Sequence, residues 1–192
     1  MDKPIVLVDM DGVLADFHGK MIEKLLEKRP GLEIPELKEH MVWANFEDEA
    51  VRADLAQFKH APGFFRSLEV IDGALEGWQK IIDLGYQPII CSSPLRTNPL
   101  CEAEKRDWLK YYLGDEVADQ AIINKQKYLY DGFALIDDRI DLANTESAPW
   151  QQIIFTQSYN QDHDYEFRLN GWHDPNLKAT LDSCYQKSQQ SA

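Results

Sequence analysis

Short apolar runs alternate with longer amphipathic segments along most of the chain, and this alternation predicts an α/β fold. The first run, residues 4–8, is fully apolar and rich in β-branched residues, which is typical of a strand buried on both faces of a parallel sheet. Similar short runs predict further strands at 87–91, 121–123, 133–136 and 152–155. Apolar residues at helical spacing predict helices at 17–28, 71–84, 102–113 and 176–186.

One region breaks this alternation. Residues 30–60 are polar and rich in glutamate, carry no strand signal, and are expected to form short helices at roughly 35–45 and 47–59. The sequence Ala61-Pro-Gly then ends the region. The chain is therefore expected to carry a helical insert, residues 13–66, after its first strand. Residues 1–12 and 67–192 would form the parallel-sheet domain.

Composition narrows the classes of function. The chain has 192 residues, with 20 basic and 33 acidic side chains and a net charge of −13. Such a balance argues against a nucleic-acid-binding protein, which needs a basic face to neutralise phosphates. No stretch reaches 18 apolar residues, so we expect neither a membrane span nor a signal peptide. The three cysteines have no metal-ligand spacing and are interpreted as reduced thiols, which favours a cytoplasmic protein.

Polar residues follow the predicted strands at the edge where ligands bind in open α/β sheets. They are Asp9 and Asp11, Ser92 and Ser93, Lys125 and Lys127, and Asp137 and Asp138. Taken singly, each acidic residue is more often a turn or a helix cap. Carboxylates crowded together repel one another and need a cation, and hard oxygen ligands suit Mg²⁺. A lysine and a hydroxyl beside that cation suit a phosphate group.

The order of these motifs resembles the haloacid dehalogenase superfamily of phosphatases. Within it, four segments resemble the 5′(3′)-deoxyribonucleotidases: Asp9-Met-Asp-Gly-Val-Leu-Ala-Asp-Phe17, Ala61-Pro-Gly-Phe-Phe65, Ile90-Cys-Ser-Ser-Pro94 and Leu135-Ile-Asp-Asp-Arg139. The resemblance covers nearly the whole chain. It implies a Rossmann-type parallel sheet with a helical cap, an Mg²⁺ cofactor, a nucleotide substrate and a homodimer.

The resemblance also implies a role for each residue. Asp9 would be the nucleophile that forms an aspartyl-phosphate. Asp11 would be the general acid and base, and would lend its backbone carbonyl to Mg²⁺. Asp9 and Asp137 would also bind the metal, and Asp138 would act through water or on Lys127.

The phosphate ligands follow from the same comparison. Ser92 and Ser93 would bind the phosphoryl oxygens, with Ser92 standing where related enzymes often carry threonine. Lys127 would neutralise the phosphoryl group. It is preferred to Lys125 because ten positions before the acidic pair is the family spacing.

The insert offers candidates for binding the leaving group. The aromatic candidates, whose flat apolar faces allow a nucleobase to stack, are Phe17, Trp43, Phe46, Phe64 and Phe65, although aromatic residues of a cap more often form its core. Arg96 is a candidate for the nucleotide phosphate or base, with a solvated surface charge as the alternative. The five histidines lack ligand spacing and are interpreted as surface or structural residues.

The leading hypothesis is therefore an Mg²⁺-dependent phosphatase of deoxynucleoside monophosphates. The first alternative is a phosphatase of the same fold that acts on another small phosphomonoester. The second is a phospho-receiver without turnover, but such modules are shorter, lack a cap, and carry their adjacent acidic pair at the first strand rather than late in the chain.

Overall fold

A computed structural model, which describes residues 3–190, places six strands in one all-parallel sheet. The strands are β1 Ile5–Val8, β2 Gln87–Ser92, β3 Ile122–Ile123, β4 Ala134–Asp137, β5 Gln151–Phe155 and β6 Arg168–Leu169. Their order in the sheet is β3-β2-β1-β4-β5-β6. The predicted fold class is confirmed.

Six α-helices accompany the sheet. They are α1 Phe17–Lys28, α2 Glu49–Phe58, α3 Ala74–Asp83, α4 Cys101–Leu113, α5 Asp115–Gln120 and α6 Leu177–Gln190. Helix α5 and strand β6 were not predicted, since one is six residues long and the other two. Among the described residues, no helix combines the length and the apolar character needed to cross a bilayer.

The helix predicted at 35–45 is wrong. This stretch is irregular and contains only one 3₁₀ turn, Val42–Asn45. The Asn45 side chain organises it by accepting hydrogen bonds from the backbone N–H groups of Lys38 and Glu39, both at 2.8 Å, and by donating to the Glu39 carbonyl at 2.9 Å. A side-chain amide thus takes the place of helical backbone pairing.

Alternate residues of the central strands enter two separate apolar cores. Val6 and Val8 of β1 belong to the larger core, which also contains the buried residues of α1 and α2. Leu7 points to the opposite face and packs with Cys91, Leu135 and Trp150. Because both faces are covered, β1 contains no polar residue before Asp9, and the polar groups are confined to its carboxyl end.

The two helices of the insert pack against each other and are capped at their starts. The Asp16 carboxylate accepts from the Gly19 N–H at 2.7 Å, and the Asp48 carboxylate accepts from the Ala50 N–H at 2.7 Å. Asp54 of α2 binds Lys28 at 2.6 Å and Arg29 at 2.7 Å, which joins α2 to the end of α1.

The insert rejoins the sheet domain through a segment that is fixed by one buried carboxylate. Glu104 of α4 is 3% exposed and accepts from the backbone N–H groups of Gly63, at 2.5 Å, and Phe65, at 3.0 Å. Both donors would otherwise lack a partner away from water. Glu104 therefore holds the border of the insert against the sheet domain.

We expect Glu104→Ala to lower the free energy of unfolding by about 2–4 kcal/mol, because one buried and one partly buried donor each lose a charge-assisted partner. Urea denaturation measures the change. Glu102→Ala on the same helix is the control: its carboxylate is exposed and pairs with Arg106 at 3.0 Å, so its loss should cost under about 0.5 kcal/mol. Equal effects of the two variants would contradict this role of Glu104.

Candidate active site

The candidate site lies where β1 and β4 end side by side. The Asp9 N–H donates to the Ile136 carbonyl at 2.9 Å, which places Asp9 next to Asp137, the last residue of β4. In the sheet, β2 lies on one side of β1 and β4 lies on the other side. This reversal of strand order opens a crevice at the carboxyl ends of the strands, where open α/β sheets bind ligands.

Three buried carboxylates meet in this crevice. Oxygen atoms of Asp9, Asp137 and Asp138 all lie within 4.8 Å of one another, and all three side chains are nearly inaccessible to solvent. Among the described residues, the Oδ1 atom of Asp138 finds no hydrogen-bond partner although it is buried. Clustered oxygen ligands with an unsatisfied lone pair fit a hard divalent cation such as Mg²⁺.

The predicted lysine lies against two of these carboxylates. The ammonium of Lys127 is 2.5 Å from Asp137 Oδ2 and 3.0 Å from Asp9 Oδ1. Burial alone would lower the pKa of Lys127, but the two carboxylates outweigh it and raise that pKa, so the ammonium stays charged. The neighbouring Asp138, expected to act through water or on Lys127, accepts a hydrogen bond from the Tyr159 hydroxyl.

A second buried lysine, Lys105, was not predicted. Its ammonium lies 2.9 Å from Asp11 Oδ2, 2.8 Å from the Ser92 hydroxyl and 3.1 Å from the Ser93 carbonyl. The sequence holds one signal for it, because Lys105 comes four residues after the buried Cys101 of the same helix. A lysine on the buried face of a helix needs a charged partner, and here that partner is Asp11.

The two lysines give Asp9 and Asp11 opposite pKa shifts. Burial would raise the pKa of Asp9, but Lys127 and Lys105 together outweigh it and hold that pKa below its ordinary value. Burial raises the pKa of Asp11, and Lys105 and Lys127 do not fully offset it, while the negative charge of Asp9 adds to the rise. At neutral pH these shifts favour the ionised form of Asp9, and they favour retention of a proton by Asp11 more than its ordinary pKa would.

The turn after β1 depends on Gly12. Its φ of +79° lies in the left-handed region, and a Cβ atom there would come 2.6 Å from Asp138 Oδ2 and 3.2 Å from the Tyr159 hydroxyl. The Gly12 carbonyl also accepts from the Gln157 side chain at 2.6 Å. Glycine thus allows the loop that carries Asp11 to approach the Asp138 carboxylate.

A cavity between the insert and the sheet domain opens onto Asp11. The lining residues are Asp11, Phe17, His18, His40, Met41, Trp43, Lys59, Phe65, Ser93, Pro94, Leu95, Lys125 and Arg139. Phe17 and Trp43, both predicted to contact the leaving group, lie in this wall. A ligand with one end at Asp11 would therefore place its other end against aromatic side chains of the insert.

Two predicted substrate contacts lie elsewhere. Phe64 is buried in the apolar core with its ring 5.5 Å from that of Phe17, and the adjacent Phe65 takes the place in the cavity wall. Arg96 is exposed and is not among the lining residues, whereas Arg139 is. The turn before the Phe64-Phe65 pair determines which of the two rings faces the cavity. Sequence spacing does not specify that turn.

Two of the histidines interpreted as surface or structural residues, His18 and His40, line the cavity and lie beside the carboxylate cluster. The His18 ring stacks on Tyr159 with centroids 4.8 Å apart, and its Nε2 lies 2.8 Å from the His40 carbonyl. Burial lowers the pKa of His40 to about 4, so its ring is neutral at pH 7, and its Nε2 lies 3.7 Å from Asp138 Oδ2. The insert thus approaches the carboxylate cluster in two ways. His40 lies beside Asp138 itself, and His18 stacks on the ring of Tyr159, whose hydroxyl binds Asp138.

Comparison with known proteins agrees with this geometry. Residues 3–180 match the family model described as 5′ nucleotidase, deoxy (pyrimidine), cytosolic type C protein. The chain belongs to this 5′-nucleotidase family. Membership makes the protein a phosphoric monoester hydrolase.

Two human relatives show how far the similarity extends. The chain is 36% identical to the cytosolic-type 5′(3′)-deoxyribonucleotidase of Homo sapiens over 188 residues, which cover 93% of each chain. It is 32% identical to the mitochondrial 5′(3′)-deoxyribonucleotidase of Homo sapiens, over 93% of this chain and 82% of that protein.

A solved structure of a haloacid dehalogenase family hydrolase from Deinococcus radiodurans R1, with bound phosphate and sodium, matches the fold. The TM-score is 0.55 at 18% identity, and the match covers 95% of this chain and 97% of that chain. At that identity the match supports the fold of this nucleotidase and not its substrate.

We expect Gly12→Ala to destabilise the nucleotidase more than Gly31→Ala. Both glycines have positive φ, at +79° and +85°, but a Cβ at Gly31 would meet no atom within 4 Å. The backbone conformation should cost each variant about 1–2 kcal/mol. The contact with Asp138 should add about 1–3 kcal/mol for Gly12→Ala alone. Urea denaturation in chelator measures both changes in the free energy of unfolding. Equal losses would show that the Asp138 side chain moves away from the added methyl group at no cost in free energy.

Proposed function

We propose that this nucleotidase hydrolyses (deoxy)nucleoside monophosphates with Mg²⁺, through an aspartyl-phosphate formed on Asp9. The observation that supports this most directly is the pair Asp9 and Asp11, in which buried lysines lower the pKa of one carboxyl and leave that of the other raised. The family and the deoxyribonucleotidase relatives support a nucleotide as the substrate.

Asp9, Asp137 and Asp138 would hold the Mg²⁺ ion, together with the backbone carbonyl of Asp11. When bound, the cation would supply positive charge that offsets the carboxylate cluster and the phosphoryl oxygens. The unsatisfied Oδ1 of Asp138 supports this assignment, because a buried lone pair without a partner costs free energy that a ligand removes.

The reaction would proceed in two displacements at phosphorus. In the first, a carboxylate oxygen of Asp9 bonds to phosphorus, the bond from phosphorus to the sugar oxygen breaks, and Asp11 gives its proton to that oxygen. In the second, a water oxygen bonds to phosphorus, its proton passes to Asp11, and the Asp9 carboxylate leaves. Orthophosphate and a nucleoside are the products.

The remaining polar groups would bind the phosphoryl oxygens. The Lys127 ammonium, 3.0 Å from Asp9 Oδ1, would neutralise the developing charge. The hydroxyl groups of Ser92 and Ser93 would donate hydrogen bonds to the phosphoryl oxygens. Lys105 would act as a positioning residue, since it holds Asp11 and the Ser92 hydroxyl with one ammonium.

The insert, residues 13–66, would serve as a cap over the domain formed by residues 1–12 and 67–192. Phe17 and Trp43 would contact the base across the cavity. A homodimer and a cytoplasmic location remain predictions of the resemblance, and the relatives include both a cytosolic and a mitochondrial enzyme.

We expect Asp9→Asn to lower kcat on nucleoside monophosphates by at least about 10³-fold, because the amide is nearly isosteric but cannot attack phosphorus. Phosphate release from a panel of 5′- and 3′-nucleotides, measured with Mg²⁺ and with chelator, tests the function. Asp115→Asn, at an exposed carboxylate of α5, is the control and should retain full activity. Turnover of other phosphomonoesters without turnover of nucleotides would favour the alternative substrate class, and full turnover in chelator would exclude the metal.

We expect the loss of activity in Asp11→Asn to depend on the leaving group of the substrate. Loss of a general acid should cost about 10²–10⁴-fold in kcat/KM on a nucleotide, since a sugar alkoxide is a poor leaving group. The same variant should lose far less on p-nitrophenyl phosphate, whose leaving group needs no proton. Steady-state kinetics on both substrates make the comparison. Similar losses on the two would show that Asp11 acts through geometry rather than proton transfer.

A further inference from the structure

One buried tyrosine beside the carboxylate cluster has no part in the chemistry proposed above. Tyr159 lies in the 3₁₀ turn Ser158–Asn160, which follows β5, and it is 8% exposed. Its hydroxyl donates a hydrogen bond to Asp138 Oδ2. Burial raises the pKa of that hydroxyl and the nearby carboxylates raise it further, so the group keeps its proton and acts as a donor.

The Asp138 side chain has few other partners. Its neighbour Asp137 lies 2.5 Å from the Lys127 ammonium. Among the described residues, Asp138 Oδ1 has no partner, and His40 Nε2 lies 3.7 Å from Oδ2, which is beyond hydrogen-bond distance. The Tyr159 hydroxyl therefore determines how the Asp138 carboxylate is turned, because it occupies Oδ2 and leaves Oδ1 for another ligand.

The turn that carries Tyr159 is itself fixed to the ends of two strands. The buried Asn160 donates from its side chain to the Asp138 carbonyl at 2.8 Å. The Gln157 side chain donates to the Gly12 carbonyl, just beyond the end of β1, at 2.6 Å. The hydroxyl of Tyr159 thus reaches Asp138 from a defined direction, as expected of a group that orients a metal ligand.

The ring of Tyr159 also contacts the insert. The His18 ring of α1 stacks on it, with the centroids 4.8 Å apart and the planes 26° apart. Because a carbonyl oxygen only accepts, His18 Nε2 carries the hydrogen and donates to the His40 carbonyl at 2.8 Å, which fixes the orientation of the ring. One side chain therefore joins the insert, through its ring, to the carboxylate cluster, through its hydroxyl.

We propose that Tyr159 is a positioning residue that turns Asp138 Oδ1 toward Mg²⁺, and that His18 of the insert acts on cation binding through it. This inference rests on the Mg²⁺ site of the proposed function and adds a link between that site and the insert. While His18 packs on the ring, the hydroxyl stays on Oδ2. Coupling between two sites is reciprocal, so cation binding in turn favours the packing of the insert on Tyr159.

The first test measures the affinity of the full chain for Mg²⁺ alone, by calorimetry after treatment with chelator and without substrate. Tyr159→Phe keeps the ring and removes only the hydroxyl. We expect the Kd of Mg²⁺ to rise about tenfold to a hundredfold, the range found when a residue that orients a metal ligand is replaced. The Mg²⁺ concentration that half-activates hydrolysis of p-nitrophenyl phosphate should rise in parallel. The kcat at saturating Mg²⁺ should fall by less than about threefold, since Tyr159 contacts no reacting group.

Tyr86→Phe is the matched control. Tyr86 is also 8% exposed, and its hydroxyl also donates to a carboxylate, Asp182 Oδ1, at 2.7 Å. Asp182 lies on α6 and takes no part in the cluster, so the Kd of Mg²⁺ should change by less than about twofold. An equal rise of Kd in both tyrosine variants would show that lost packing rather than lost orientation weakens the site, and would overturn the role of Tyr159.

Variants of His18 test the link to the insert. His18→Leu removes the flat ring and should raise the Kd of Mg²⁺ about twofold to tenfold, the range of a lost aromatic contact. His18→Phe keeps a ring against Tyr159 and should retain the wild-type Kd. In the Tyr159→Phe background, His18→Leu should change the Kd by less than about twofold, because the hydroxyl through which His18 acts is gone. Additive effects in the double variant would contradict a link through Tyr159.

The outcomes separate this inference from the proposed function. An unchanged Kd in Tyr159→Phe would overturn the positioning role and leave the Mg²⁺ site and the nucleotidase activity standing. A wild-type protein that binds no Mg²⁺ would overturn the metal assignment and, with it, this inference. A wild-type protein that binds Mg²⁺ but hydrolyses no nucleotide would overturn the proposed function alone. Melting temperatures of all variants identify any loss of folding.

Discussion

The structure depends on holding four carboxylates at one edge of a sheet, three of them buried and one, Asp11, partly exposed. Asp9, Asp11, Asp137 and Asp138 all lie in a crevice bounded by apolar cores, where an unpaired charge is costly. The chain supplies two buried ammoniums against them and leaves one carboxylate oxygen of Asp138 without a partner. The incomplete compensation favours the binding of a cation in this crevice, as proposed above, since a positive charge removes part of the imbalance.

One turn of α4 links this electrostatic balance to the insert. Glu104 holds the backbone of Gly63 and Phe65, where the insert rejoins the sheet domain, and the next residue, Lys105, holds Asp11 and Ser92. Adjacent residues of a helix point in directions about 100° apart, so a single turn reaches both the border of the insert and the side chains of Asp11 and Ser92. A shift of α4 would therefore disturb the cavity wall and Asp11 together.

The sequence was most informative where local pattern determines position. A buried strand followed by acidic residues predicts a polar crevice because parallel strands end at one edge, and the structure does bring Asp9, Asp137 and Asp138 together. Lys105, His18 and His40 were missed because their partners lie 22 or more residues away along the chain or on another element. The helix wrongly predicted at 35–45 has a similar cause. The Asn45 side-chain amide forms hydrogen bonds with backbone groups of this stretch, and the periodicity of apolar residues gives no sign of such bonds.

The carboxylate cluster and the cavity wall differ in what fixes their side chains. The clustered carboxylates stand at the ends of paired strands, so the register that aligns Val8 with Ile136 also places Asp9 beside Asp137. Trp43 and Lys59 stand in a 3₁₀ turn and at a helix end, where no register constrains them and a small change of backbone moves a side chain across the cavity. Similarity to a family consequently carries over the chemistry at the sheet more securely than the choice of base. The identity of the base has to be argued from the particular side chains of the insert.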